Sequence, residues 1–83
     1  MTYFVYLIGN YKKSKVITYA GYTKNLKNRL MLHNTGRGAK FTKGRIWKLL
    51  YYEKFKTKRK AILREIHIKK NRKFRNLIKE RFI

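Results

Sequence analysis

The sequence has no cysteine and no aspartate, and its only carboxylate side chains belong to Glu53, Glu65 and Glu80. Without cysteine, disulfides and every zinc site that uses a thiolate are excluded, and the two histidines cannot build a structural zinc centre by themselves. This composition is consistent with a reducing cytoplasm. A bound metal ion would have very few carboxylates to hold it.

Long apolar segments are missing as well. Residues 1–6 lack the basic segment and the apolar run of a signal peptide. No apolar stretch approaches the roughly 18 residues of a membrane-spanning helix. We therefore expect a cytoplasmic protein that does not use a membrane as its partner. The chain has 83 residues, enough for one domain, which we expect to span residues 1–83.

Basic residues dominate what is present, since 24 Lys and Arg give a formal net charge of +21. A field of this sign attracts polyanions and raises their rate of encounter. It favours nucleic acid as the partner, with an anionic membrane surface as the second choice. Charge alone indicates neither a fold nor an activity.

Three apolar segments predict strands. Tyr3–Ile8 is almost continuously apolar, which is typical of a strand buried on both faces. Val16–Tyr22 is again β-branched and aromatic. The turn formers and lysines between these two segments predict a hairpin with a loop of about six or seven residues. Ile46–Phe55 has enough aromatic and aliphatic residues for a third strand.

A first helix is predicted after the second strand. Thr23–Asn25 offers N-cap residues, and Leu26, Leu30 and His33 follow at helical spacing. We expect this helix to end near Asn34, before a short glycine-containing basic loop.

Two further helices are predicted after the third strand. Thr57 would cap the first of them, whose expected stripe, widened by Leu63, consists of Ala61, Ile62, Ile66 and Lys69. Asn71 would cap the last helix, which carries Phe74, Leu77, Ile78 and Phe82. The order β-β-α-β-α-α predicts an α+β fold with helices packed against a three-stranded, mainly antiparallel sheet.

Five segments are informative because of their order, although each is weak alone. They are Val5–Ile8, Thr18–Thr23, Asn28–Leu30 with His33–Asn34, Gly38–Thr42, and Arg64–Ile66 with Ile68–Lys70. In this order they resemble the GIY-YIG nuclease family, most closely its small stand-alone members and more distantly the nuclease module of the excision-repair protein UvrC. The resemblance covers almost the whole chain. Phe4-Val5 replaces Gly-Ile and Ala20 replaces Ile, both at positions that we expect to be structural.

The resemblance implies a catalytic set of Tyr6, Tyr19, Arg29, His33 and Glu65. Glu65 would ligate one Mg²⁺ or Mn²⁺ ion, because Mg²⁺ keeps several waters and often needs only one or two carboxylates. Tyr19 would activate the attacking water, with Arg29, nearby lysines and the cation favouring its phenolate. Arg29 would hold two phosphate oxygens and stabilise the charge of the transition state.

Two members of this set have less defined roles. Tyr6 is expected to face the same site from the neighbouring strand, where it would hold a water or a phosphate. His33 would donate to a phosphate, carry a proton or cap the helix end. Arg29 and His33 lie one helical turn apart, so both side chains can reach one patch.

Each residue of the set also has an ordinary structural explanation. Glu65 would pair with Lys69 four residues on, which is worth only about 0.3–0.5 kcal/mol on a helix surface. The two tyrosines would pack in the core with their hydroxyls hydrogen-bonded. Arg29 would be one more solvated cation. Glu53 and Glu80 are expected to have solvated charges around them.

Further residues are expected to shape the site or to bind DNA. Gly21 is expected where the backbone comes too close to substrate or to a helix for a Cβ atom, and Tyr22 stands where some members of the family carry Lys. Contacts that position DNA phosphates without reading bases are expected from Arg37, Lys40, Lys43, Arg45, Lys58, Arg59 and Lys60.

These features predict a metal-dependent DNA endonuclease that is structure-directed rather than sequence-directed and acts in DNA repair or recombination. The alternative is a non-catalytic basic nucleic-acid-binding protein, which composition alone favours. A membrane-surface peptide is a third interpretation, disfavoured by the strand signals. The sequence does not indicate the natural DNA substrate, a targeting partner, the oligomeric state, or whether one or both strands are cut.

Overall fold

A computed structural model describes residues 1–12 and 15–81 of the chain. Its elements are β1 (Tyr3–Lys12), β2 (Lys15–Thr23), α1 (Leu26–Asn34), β3 (Lys48–Phe55), α2 (Lys58–Lys70) and α3 (Arg72–Glu80). This order confirms the predicted α+β fold. Within the described residues, no helix is both long enough and apolar enough to cross a bilayer.

The sheet has the strand order β2-β1-β3, and both pairings are antiparallel. Six consecutive residues of the central strand, from Val5 to Asn10, are buried. The apolar run predicted a strand covered on both faces, and this prediction is confirmed. The register places Tyr6 opposite Gly21 on one side and opposite Tyr52 on the other.

The β1–β2 hairpin is longer than its hydrophobic pattern indicates. Pairing continues through Tyr11 and Val16 to Lys12 and Lys15, so the predicted loop of about six or seven residues is wrong. An antiparallel ladder is held by backbone hydrogen bonds, which polar residues can make as well as apolar ones. The strands therefore extend beyond the part of the sheet that the helices cover.

The start of the third strand is also displaced from its predicted position. It begins at Lys48 rather than at Ile46. The carbonyl of Ile46 accepts a hydrogen bond from Asn10 Nδ2 at 2.8 Å, and the amide of Trp47 donates to Asn34 Oδ1 at 2.6 Å. Side chains therefore satisfy the backbone here, where a strand partner would otherwise do so.

All three predicted helix caps are confirmed. The side-chain oxygens of Asn25, Thr57 and Asn71 accept hydrogen bonds of 3.0, 3.2 and 3.0 Å from backbone amides three residues later. Each cap satisfies one of the amides that the first turn of a helix leaves without an intrahelical partner. Helix α1 also ends at Asn34, as predicted.

Two separate cores form on the two faces of the sheet. Helices α2 and α3 cover a cluster of Val5, Leu7, Ala20, Leu50, Ala61, Ile68 and Ile78. On the opposite face, a smaller cluster of Tyr6, Ile8 and Trp47 packs with Leu26 and Leu30 of α1. Tyr6 and the residues of α1 in the candidate site lie on this second, more polar face, whereas Glu65 belongs to α2 on the first.

The predicted apolar stripe of α2 is only partly correct. Ala61 is buried, but Leu63 and Ile66 are exposed by 58% and 42%. Ile68 takes their place in the core, two turns after Ala61 and on the same helix face as Glu65. In α3, Ile78 is buried and Leu77 is exposed. The predicted role of Phe82 falls outside the described residues.

Candidate active site

The centre of the site is the contact between the sheet and the first helix at Tyr6 and His33. The Tyr6 hydroxyl lies 2.8 Å from His33 Nε2, and Arg29 Nε donates to the same hydroxyl at 3.4 Å. Tyr6 is 2% exposed and His33 is fully buried. Both groups are therefore held rigidly, with Arg29 closing the cluster on the solvent side.

The hydrogen-bond partners determine the direction of the bonds around His33. Thr42 Oγ1 donates to the Ala39 carbonyl at 2.9 Å and lies 2.8 Å from His33 Nδ1. Because that hydroxyl proton is committed, Nδ1 carries the imidazole proton and donates it to Thr42. Nε2 is left as the acceptor for the Tyr6 hydroxyl. A directed chain thus runs from Tyr6 through His33 and Thr42 to the loop backbone.

The electrostatics agree with this assignment. Burial lowers the pKa of His33 below its ordinary value, and the neighbouring Arg29 guanidinium lowers it further. Burial raises the pKa of Tyr6, and this effect outweighs the opposing effect of Arg29. At neutral pH a protonated phenol therefore faces a neutral imidazole, which is the pairing that the hydrogen-bond chain requires.

Two glycines make room for this pair. A Cβ atom on Gly21 would lie 2.3 Å from the Tyr6 hydroxyl oxygen, and one on Gly38 would lie 2.3 Å from His33 Nδ1. Neither ring can move away easily, because both are buried and hydrogen-bonded. The neighbour that the Gly21 backbone approaches is thus the Tyr6 phenol.

Tyr19 lies next to this pair on β2. Its ring meets the His33 ring edge-on at 5.3 Å between centroids and stacks on Phe41 at 5.9 Å. Lys69 Nζ lies 5.9 Å from the centroid of the Tyr19 ring and also forms an ion pair of 3.3 Å with Glu65 Oε1. Lys69 therefore connects the carboxylate of α2 to the tyrosine of β2.

All five residues of the predicted catalytic set belong to one continuous series of contacts. The series runs from Arg29 to Tyr6, to His33, to Tyr19, and through Lys69 to Glu65. The negative charge of Glu65 also contributes to the raised pKa of Tyr6, although it is the smallest of the contributing causes. Two helices, α1 and α2, and the two strands of one hairpin, β1 and β2, thus supply one site.

The other two carboxylates differ from each other in their surroundings. Glu53 accepts three hydrogen bonds of 2.8–3.1 Å from Arg64 and one of 2.6 Å from the Tyr51 hydroxyl. The expectation of solvated surroundings is wrong for Glu53, because α2 packs across β3 and brings Arg64 onto it. Glu80 is exposed at the end of α3. Glu65 is the carboxylate that belongs to the series.

Tyr22 faces away from the site. Side chains alternate along a strand, so Tyr22 points to the face opposite Tyr19 and Gly21. There it packs against the larger core beneath α2 and α3. The cation that lies beside the Tyr19 ring is Lys69 of α2.

The seven predicted DNA-binding residues fall into two groups. Arg37, Lys40, Lys43 and Arg45 lie in the connection between α1 and β3, and the Arg45 guanidinium sits 5.2 Å above the Phe41 ring that stacks on Tyr19. Lys58, Arg59 and Lys60 form the first turn of α2. That turn is about 8–11 Å along the helix axis from Glu65, so this second group is the more distant from the series.

Several side chains of the site were not predicted individually from the sequence. They are Thr42, Phe41, Lys69, and the basic residues Arg72, Arg75 and Lys79 of α3. The loop segment Gly38–Thr42 was noted as part of the family pattern, but nothing local indicates that Thr42 meets His33. The α3 residues carry no signal beyond their charge.

The side chains of the site determine which kind of divalent cation it can hold. No group of three or more His, Asp or Glu side chains comes together among the residues that the structure describes. Glu65, with its side chain 14% exposed, offers one carboxylate, which is paired with Lys69. Such a set fits an ion like Mg²⁺ that completes its coordination with water and substrate oxygens, and it does not fit an ion enclosed by protein ligands alone.

Comparison with known proteins identifies the family. The model of the GIY-YIG catalytic domain matches residues 2–79. A UPF0213 protein of Oceanobacillus iheyensis is 47% identical over 60 residues, which cover 71% of this chain and 70% of that protein. UPF0213 proteins of Bacillus licheniformis and Clostridium perfringens are each 53% identical over 53 residues, or 63% of this chain, and the match covers 55% and 57% of those proteins.

No solved structure matches the chain significantly. The family model spans every segment that contributes a residue to the series, from Tyr6 on β1 to Glu65 on α2. The chain belongs to the GIY-YIG family of nucleases.

Proposed function

We propose that this protein is a divalent-metal-dependent endonuclease that hydrolyses phosphodiester bonds of DNA. The observation that supports the proposal is the continuous series of contacts from Arg29 to Glu65. A protein that only binds DNA through its charge needs no buried, directed chain of hydrogen bonds beneath an arginine and a carboxylate.

Arg29 is the residue that holds the scissile phosphate in this proposal. Its Nε is committed to the Tyr6 hydroxyl, which fixes the plane of the guanidinium. In the described part of the chain its two terminal amino groups make no hydrogen bond, so both remain for phosphate oxygens. A guanidinium held in this way can stabilise the extra negative charge of the transition state.

Tyr6 and His33 position Arg29 and are not themselves in contact with the substrate. Both side chains are buried, and the hydrogen bonds of His33 to Tyr6 and Thr42 occupy both ring nitrogens. These contacts favour a role for His33 that was not expected from the sequence, positioning of the Tyr6 hydroxyl, over donating to a phosphate, carrying a proton or capping the helix end. Tyr6, held in place by His33, in turn fixes the position of Arg29 through the hydrogen bond from Arg29 Nε to its hydroxyl.

Tyr19 is the proposed proton acceptor. It is partly exposed, and three aromatic neighbours hold its ring. As the water oxygen bonds to phosphorus and the bond to the leaving oxygen breaks, Tyr19 in its phenolate form would take the water proton and become a phenol, and the leaving oxygen would take a proton from solvent. Glu65 would hold the cation, which when bound neutralises phosphoryl charge and helps the leaving oxygen.

The preferred DNA substrate and the cellular process are also part of the proposal. The basic residues around the site can hold phosphates but offer no helix or ribbon dedicated to base edges, which favours structured DNA over a defined sequence. Repair or recombination is the process in which such structures arise. A basic nucleic-acid-binding protein without chemistry is the competing function, supported by the net charge of +21.

The decisive experiment incubates nicked, flapped and duplex DNA with the protein in Mg²⁺, Mn²⁺ or chelator. We expect cleavage that requires the metal and that falls at least about 100-fold in Glu65→Gln, while DNA binding persists. Glu80→Gln is the matched control, because it removes the same charge from an exposed position. Binding without metal-dependent cleavage of any substrate would establish the competing function instead.

A further inference from the structure

A groove beside Tyr19 contains basic residues that the sequence did not single out. It has a volume of about 350 Å³, with Tyr19 and Phe41 on one side and Lys69, Arg72, Arg75 and Lys79 on the other. All four charged side chains that line it are cationic. The groove follows β2, which is an edge strand of the sheet, so no further strand covers it in the described chain.

Arg75 has a structural role in this groove. Its guanidinium donates to the carbonyl of Ile68 at 2.8 Å and also to the carbonyl of Lys69. These carbonyls belong to the last turn of α2, where the regular pattern of helix hydrogen bonds ends, and the Ile68 carbonyl also accepts from the Asn71 amide at 3.2 Å. Arg75 therefore ties α3 to the end of α2 and fixes the position of the residues one turn before and after it.

Arg72 and Lys79 differ from Arg75 in this respect. Among residues 1–12 and 15–81, neither of them forms an ion pair, and both lie on the face of α3 that lines the groove. Their separation of seven residues corresponds to about 10.5 Å along the helix. The two side chains are therefore far enough apart to contact different phosphates of one DNA strand.

Lys69 joins this groove to the candidate active site. It lines the groove, lies over the Tyr19 ring and forms the ion pair with Glu65. A strand whose scissile phosphate sits at Arg29 and Tyr19 would therefore find its next cationic partners along Lys69, Arg72 and Lys79. No carboxylate interrupts this path in the described lining of the groove.

We propose that the groove is the track for the backbone of the DNA strand that is cut, with two different phosphates of that strand on Arg72 and Lys79. This inference rests on the proposed function, because the groove is assigned to the cut strand through its contact with Tyr19. It adds a binding surface on α3 to the residues expected from the sequence. The Lys58–Lys60 cluster contributes only general attraction in this arrangement.

The test compares two variants that remove the same charge. Arg72→Gln/Lys79→Gln removes the two proposed phosphate contacts, and Lys54→Gln/Lys56→Gln removes two exposed cations that have no place in the site or the groove. Binding of a labelled nicked duplex is measured by fluorescence anisotropy in chelator over a range of salt concentrations. Thermal unfolding followed by circular dichroism checks that both variants fold.

The salt dependence of DNA binding distinguishes phosphate contacts in the groove from attraction by the overall positive charge. We expect the slope of log Kobs against log salt to fall by about 1.4–1.8 in the groove variant, because each phosphate contact contributes about 0.7–0.9. The control variant is expected to keep the wild-type slope. The single substitution Arg72→Lys, which retains both positive charges, should also keep it. An unchanged slope, or an equal fall in both variants, would overturn the proposal.

A second readout places the groove relative to the cut. A photo-crosslinking residue at position 72 is expected to label the cut strand, at nucleotides next to the cleavage position. Labelling confined to the opposite strand or to distant nucleotides would overturn the track. Because the salt slope is measured without metal, it tests the groove even if the wild-type protein cuts no substrate, a result that would refute the proposed function separately.

Discussion

The Tyr6 hydroxyl on β1 lies 2.8 Å from Nε2 of His33 at the end of α1, and this contact joins the sheet to the helix that carries Arg29. Both rings are buried. The hydrogen bond therefore acts as a fixed reference point, from which Arg29 and Tyr19 take their positions.

Loss of this contact is expected to cost stability. His33→Ala removes a fully buried ring, and the hydroxyls of Tyr6 and Thr42 each lose one hydrogen-bond partner. We expect the free energy of unfolding to fall by about 2–4 kcal/mol, as measured by urea denaturation. His67→Ala, which alters the exposed histidine of α2, should change it by about 0.5 kcal/mol or less. Equal losses in the two variants would contradict a special role for the buried ring.

The same histidine is expected to make stability depend on pH. Burial and then Arg29 lower the pKa of His33 from its ordinary 6.5, so the unfolded chain takes up a proton before the folded chain does. The unfolded state thus binds more protons between the lowered pKa and 6.5. The free energy of unfolding should therefore decrease as the pH falls from 6.5 through this window.

Urea denaturation at a series of pH values around and below 6.5 checks this expectation. In His33→Gln the decrease should become smaller, because the variant has no group at this position that takes up a proton on unfolding. His67→Gln should keep the wild-type dependence on pH. A decrease of the same size in His33→Gln would mean that other groups cause it.

Gly21 offers a test of how closely the hairpin surrounds Tyr6. In Gly21→Ala the new Cβ would lie 2.3 Å from the Tyr6 oxygen, so the ring or the strand must shift. Such overpacking is expected to cost about 1–3 kcal/mol. Because the Tyr6 hydroxyl positions Arg29, we also expect a cleavage rate lower by up to about 100-fold.

Gly44→Ala is the control for this substitution. Gly44 has a φ of +79°, and a Cβ there would meet nothing within 4 Å. The alanine should therefore lower stability by about 1 kcal/mol through backbone strain and leave cleavage unchanged. If both alanine variants lost cleavage to the same degree, the clash with Tyr6 would not be the cause.

The element order and the helix starts could be predicted because they depend on local signals. Asn25, Thr57 and Asn71 each cap a helix through a side chain that bonds an amide three residues later, and this arrangement is visible in the sequence. The buried face of α2 was not fixed in the same way. Helical spacing allows a stripe through Ile62 and Ile66 as well as one through Ala61 and Ile68, and docking on the sheet selects the second.

The contacts of the site were harder to predict than its members. The family resemblance indicated Tyr6, Tyr19, Arg29, His33 and Glu65, and the fold brings them into one series. The partners that fix them come from distant parts of the chain, such as Thr42 for His33 and Arg64 for Glu53. No local pattern encodes these pairs, because they depend on how α1, α2 and the connecting loop dock on the sheet.

Lys69 provides the last test, because it forms the ion pair with the carboxylate that would hold the cation. A pair of 3.3 Å with a half-exposed lysine is worth about 0.3–0.5 kcal/mol at most. A cation that binds Glu65 must displace this ammonium group. In Lys69→Met we therefore expect the Mn²⁺ concentration for half-maximal cleavage, measured at saturating DNA, to fall by about twofold. Lys70→Met removes the next, exposed charge of α2 and should leave the metal requirement unchanged. A higher metal requirement in Lys69→Met would show that the lysine supports the cation at Glu65 rather than competing with it.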